Sequence, residues 1–168
     1  RNTAVGFAAL NVSTTGADNT AVGVEALQAV TTGNSNVAMG YQALYTATEL
    51  DKNTAIGYQA LKVASGSAGT GQNTALGYQA GVAITTGIQN TLIGASAGDS
   101  ITTGNRNVAL GTNALFAATT GQPEGNVALG YGSVYALNLG GAFQFELALF
   151  VGAAMTDTSV GITARGCG

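Results

Sequence analysis

The chain has no histidine, no tryptophan, one cysteine and one proline among its 168 residues. Without histidine a Ser-His-acid triad cannot be completed within it, and the commonest metal ligand is missing. A single cysteine, Cys167, excludes an intrachain disulfide framework. Charge is equally scarce. Charged residues are 8% of the chain, against about 25% in ordinary soluble domains. Five Lys or Arg, scattered within a net charge of −3, offer no basic stripe to neutralise phosphates, so no nucleic-acid partner is expected. No apolar run approaches the roughly 18 residues of a membrane-spanning helix. There is no calcium-loop spacing, and the glycines at 66, 69 and 71 lack the Gly-Lys-Ser/Thr of a phosphate loop. No cofactor or metal is expected.

What the chain does have is glycine, 26 residues of it, and a 46% hydrophobic content carried mostly by Ala and Val. Disordered chains are polar and charged, so this composition points to an ordered protein with a thin core. A surface this poor in charge is expected to be buried between chains. The first residue is Arg1, and no signal-peptide pattern follows it, as expected of a processed or partial product.

The organising feature is a repeat. The core N-x-A-x-G starts at Asn2, Asn19, Asn36, Asn53, Asn73, Asn90, Asn107 and Asn126, in steps of 17, 17, 17, 20, 17, 17 and 19 residues. The long steps coincide with inserted connectors, SGSAGTGQ at 65–72 and TTGQPEG at 119–125. Such a period must be settled before any other motif is believed. A glycine inside every unit disfavours helix, and 17 residues cannot hold a helix pair. Short strands with Gly corners and TTG turns fit, two strands per coil.

Within each core, Thr or Val and a large aliphatic (Val5, Val22, Met39, Ile56, Leu76, Ile93, Leu110, Leu129) share one face. Ala4, Ala21, Ala38, Ala55, Ala75, Ala109 and Ala128 face the other way, with Leu92 as the exception. The expectation is that the aliphatics fill the coil and the Ala ladder forms a smooth chain–chain interface. The chain therefore reads as an all-β, parallel β-solenoid of about 17 residues per coil, stacking at about 4.8 Å. Residues 1–134 form an eight-coil repeat region, and 135–168 a C-terminal docking strand with a partial repeat.

The pattern NTAVGxxAL…TTGxxNTAVG, over about 2–134, resembles the repeats of bacteriophage tail-fibre shafts and trimeric autotransporter adhesin heads. That resemblance implies a parallel β-roll or β-helix, a homotrimer, and an extracellular, cell-surface or virion setting.

The repeated Asn is expected to stack as a structural ladder, the alternative being a row of polar groups for a ligand. Aromatics follow the Gly at Phe7, Tyr41, Tyr58, Tyr78 and Tyr131, in a row broken by Val24, Ala95 and Thr112. They suit packing between chains, the alternative being stacking on sugars. Paired threonines cannot rank on one ice-binding face, because adjacent strand residues point oppositely. GASAG at 94–98 matches a nucleophile elbow, but Ser96 occupies the slot of Gln42, Gln59 and Gln79, so it reads as a variant of a structural position. Glu49 and Asp51, beside Lys52, read as solvated turn charges.

Past Val134, residues Phe143, Phe145, Leu147, Leu149 and Val151 alternate on one face of a greasy strand, expected to dock on a neighbouring subunit or coil. Residues 157–166 return to the repeat, with Asp157 in the Asn slot. Neither end carries a polar cap, so head-to-tail stacking is expected, although a piece of a longer shaft would lack caps too. Cys167 is a candidate inter-subunit thiol. The sequence thus leads to a non-enzymatic structural fibre whose partner is itself, with a receptor- or glycan-binding module as the alternative.

Overall fold

The computed structural model of the chain describes residues 1–67, 69–116, 124–133 and the strand at 147–149. Each copy of the core supplies one strand of three residues. These are β1 (Thr3–Val5), β2 (Thr20–Val22), β3 (Val37–Met39), β4 (Thr54–Ile56), β5 (Thr74–Leu76), β6 (Thr91–Ile93), β7 (Val108–Leu110), β8 (Val127–Leu129) and β9 (Leu147–Leu149). They pair in parallel and in chain order, making one nine-stranded sheet. Equivalent slots pair with each other, Ala21 with Ala38 and Met39 with Ile56. The chain is a β-solenoid of about 17 residues per coil. The longer steps do not disturb the register: Thr54 pairs with Thr74, and Val108 with Val127. An insertion is absorbed in a connector because every slot of the sheet is pinned to its copy above and below.

The return side of the coil is not a second strand, as the sequence reading expects, but a succession of turns. The physical reason is its backbone. Three slots per coil sit in the left-handed region, among them Gln42 (φ 52°), Leu44 (φ 51°) and Lys52 (φ 59°), where a non-Gly residue costs about 1–2 kcal/mol. Hydrogen bonding between coils explains why these conformations hold. The Gln42 N–H donates back to Val24 O (3.0 Å), while the Leu44 N–H donates forward to Ala60 O (3.0 Å). The same pair of bonds recurs from coil to coil, for instance at Gln59 and Leu61. These bonds hold the turned backbone to the coils on either side, so the left-handed residues keep the stack in register without a second strand.

The placing of the two strand faces is the reverse of the expected one. Ala21, Ala38, Ala55, Ala75, Ala109 and Ala128 are fully buried inside the coil, whereas Val5, Met39, Leu76 and Leu110 are exposed. Only Ala4, on edge strand β1, is exposed. The Ala ladder is therefore core and not a chain–chain surface. The turn side decides this: Leu27, Leu44, Leu61 and Leu115 point inward and are fully buried. Together with Val30 and Leu50 the turn-side leucines fill the thin interior, so the strand supplies only a methyl group.

The exception confirms the volume argument. Where the strand carries Leu92, fully buried, the turn slot that elsewhere holds Leu is glycine, at Gly98 and at Gly81 in the coil before. A Cβ on Gly98 would lie 2.8 Å from Leu92 Cδ2, and one on Gly81 would lie 2.7 Å from Leu92 Cδ1. The leucine has moved across the core from the turn to the strand. The protein interior is filled to constant density either way.

Candidate functional site

Among the described residues the side chains with chemistry lie in rows parallel to the coil axis. The first row is the buried Asn ladder. Asn53 accepts at Oδ1 from the Asn73 backbone N–H (3.0 Å) and from Asn73 Nδ2 (3.3 Å). Its own N–H and Nδ2 donate to Asn36 Oδ1 at 2.9 and 3.0 Å. The pattern runs from Asn2, which accepts from Asn19, through Asn90 and Asn107 to Asn126. From Asn2, Asn19, Asn36, Asn73 and Asn90 a second amide bond closes the coil on itself, as from Asn36 Nδ2 to Leu50 O (2.7 Å) and from Asn90 Nδ2 to Gly104 O (2.9 Å), whereas Asn53 Nδ2 turns back to Asp51 O (3.1 Å). Asn126 Oδ1, the last described rung, has no partner among the described residues. With both ends of the amide engaged at the interior rungs from Asn19 to Asn90, these groups serve stacking and are not offered to a ligand.

The threonines of TTG work the same way. Thr14, Thr31 and Thr85 each donate a hydroxyl to a backbone carbonyl one coil on, at 3.1 Å. Asp51 holds a turn together: its carboxylate accepts from the N–H groups of Asn34 (2.6 Å) and Gly69 (3.0 Å). Ser96 stands in the left-handed Gln slot (φ 52°), its N–H donating to Tyr78 O at 2.8 Å. No group of three or more His, Cys, Asp or Glu that could hold a metal occurs among the described residues.

Three rows face outward beside one another. The first two are the Thr/Val and aliphatic slots of the sheet. Met39, Leu76 and Leu110 are 45, 44 and 43% exposed. The third is the aromatic row. Tyr41 and Tyr58 stack with ring centroids 5.2 Å apart and planes at 18°, and Tyr58 and Tyr78 at 5.3 Å and 8°. Stacked along the axis, the rings turn their faces to each other, and only the outer faces of Tyr41 and Tyr78 are uncovered by another tyrosine. Beyond them runs an amide ladder: Gln79 Nε2 donates to Gln59 Oε1 (3.0 Å), Gln59 to Gln42 (2.9 Å) and Gln42 to Glu25 (2.7 Å).

Sequence reasoning located the Asn ladder and the aromatic row, but missed the outward aliphatic rows and the left-handed slots. A signal for the latter was present. Each of the three slots is glycine in at least one coil, at Gly81 and Gly98, at Gly125 and at Gly132, all with φ between 60° and 71°. Of the expected docking strand, Leu147 and Leu149 lie in β9, which pairs with β8. Phe143, Phe145, Val151 and Cys167 lie outside the described residues. No helix among the described residues is long and apolar enough to cross a membrane. No protein family, curated protein or solved structure matches the chain.

Proposed function

We propose that the chain is a non-enzymatic structural element, a rigid shaft built by stacking equal coils, working in a fibre outside the cell or on a virion. The observation that carries this reading is the uninterrupted repetition of one contact, the buried Asn-to-Asn bond, from Asn2 to Asn126. Energy spent identically at every rung stabilises length, and it assembles no site. Stability in such a stack is the sum of coil and nearest-neighbour terms, which suits an element that bears load along its axis. The likeness of the repeats to tail-fibre shafts and adhesin heads favours a homotrimer. Copies joined head to tail through their coil ends would extend the fibre.

Electron cryo-microscopy of the purified protein tests the reading. Rods or filaments with an axial repeat near the roughly 4.8 Å of stacked strands are the expected result. Compact particles without that repeat would refute it. Saturable binding to a glycan array, abolished by replacing Tyr41, Tyr58 and Tyr78, would replace the shaft by a recognition module.

A further inference from the structure

The outward sheet face, with the tyrosine row beside it, carries no charged side chain in any of the eight coils. Its flanks differ. On one side lie exposed Asp18, Lys52 and Arg106, on the other the amide ladder that begins at Glu25. An uncharged strip of aliphatic, aromatic and threonine side chains with a charged and amide rim has the anatomy of an interface. Its size is adequate. Seven steps of about 4.8 Å by about 15 Å across give about 500 Å² per copy, or about 1,000 Å² for a pair, the lower bound for a specific interface. An uncharged patch of about 500 Å² is in the range of the largest patch on a monomer, and such patches are often functional.

The spacing narrows the occupant to another stack of strands, of which a second copy of this chain is the one at hand. A partner with any other period would meet successive rungs in a different phase. A second copy of this chain has the same rise, so all its rungs meet in one phase. The register is also protected: longer steps leave Thr54 opposite Thr74 and Val108 opposite Val127. We propose that the outward aliphatic and tyrosine rows are a self-association surface, taking a second copy of this chain laid alongside with axes parallel and coils in register. The identity of the partner rests on the shaft reading; the surface itself rests on exposure and charge.

The experiment is sedimentation velocity on the full chain at micromolar concentration. The wild type should run as an oligomer. The variant Met39→Glu/Leu76→Glu/Leu110→Glu should fall to the 16.5 kDa monomer with its circular dichroism unchanged. Mixing it with the matching Lys variant should restore the oligomer, which a folding defect would not allow. Tyr58→Arg, a single change on the same face, should weaken association at least tenfold, while Val12→Glu, exposed elsewhere, should leave it intact. A monomeric wild type, a Glu variant that keeps the wild-type mass, or Glu and Lys variants that fail to re-associate would each overturn the proposal. Monomeric rods in the micrographs would do so while leaving the shaft reading standing.

Discussion

Replacing Leu92 by Ala and Gly98 by Leu, singly and together, tests the volume argument for the core. Leu92 is fully buried, and truncation to Ala removes about three carbon atoms, or about 2.4 kcal/mol of transfer free energy at about 0.8 per methylene. A cavity term is added, because Gly81 and Gly98 bring no side chain that could relax into the space. The expected cost is about 4 kcal/mol, in the upper part of the range for buried Leu→Ala. Gly98→Leu alone overfills the same space, its Cβ lying 2.8 Å from Leu92 Cδ2, and should cost about 1–3 kcal/mol. The backbone does not forbid it, since Leu44 and Leu61 occupy that slot at φ 51° and 50°. The double variant recreates the pairing of Ala55 with Leu61. It should recover at least about 2 kcal/mol relative to the sum, within the coupling range of touching residues. Some strain will remain, because the new Cβ also lies 3.0 Å from Ile101 Cδ1. Urea unfolding followed by far-UV circular dichroism, with unchanged m-values, supplies the cycle. Additivity within about 0.5 kcal/mol would refute the reasoning.

Asn53→Ala leaves the Asn73 N–H and Asn36 Oδ1 with weakened partners in the core, and at about 1–3 kcal/mol per orphaned group should cost about 3 kcal/mol or more. Gln59→Ala, on the half-buried outer ladder, should cost less than about 1 kcal/mol, both variants being read by the same urea unfolding. Ser35, exposed at φ 59°, should accept Gly with a gain of up to about 1 kcal/mol, while Ser35→Val should lose about 1–2 kcal/mol. Gly23→Ala places a Cβ 2.6 Å from Gly40 O at φ 130°, so loss of the cooperative melt is expected. Burial raises the carboxyl pKa of Asp99. The folded state then holds that proton more tightly than the unfolded state, so this group's contribution to stability falls as pH rises through the window just above the ordinary carboxylate value. Asp99→Asn should flatten that part of the stability–pH curve and be slightly more stable than wild type at neutral pH.

The coil period, the parallel stacking and the Asn ladder were all legible in the sequence. A near-constant spacing from Asn2 to Asn126 puts equal residues at equal heights, and a small amide in every copy can reach the copies above and below. Alternation along the strand also separated the aliphatics from Ala21, Ala38 and Ala55. What alternation cannot say is which set faces inward, because period two distinguishes two faces without naming either. That was decided across the coil. Left-handed residues on the return side turn Leu27, Leu44 and Leu61 inward, and with Val30 and Leu50 they leave the thin interior little room opposite each strand. The strand therefore brings Ala to the core and leaves Met39, Leu76 and Leu110 outside. The contact of Leu92 with two glycines shows the same constraint working in reverse, a choice between partners from different turns that only the closed coil brings together.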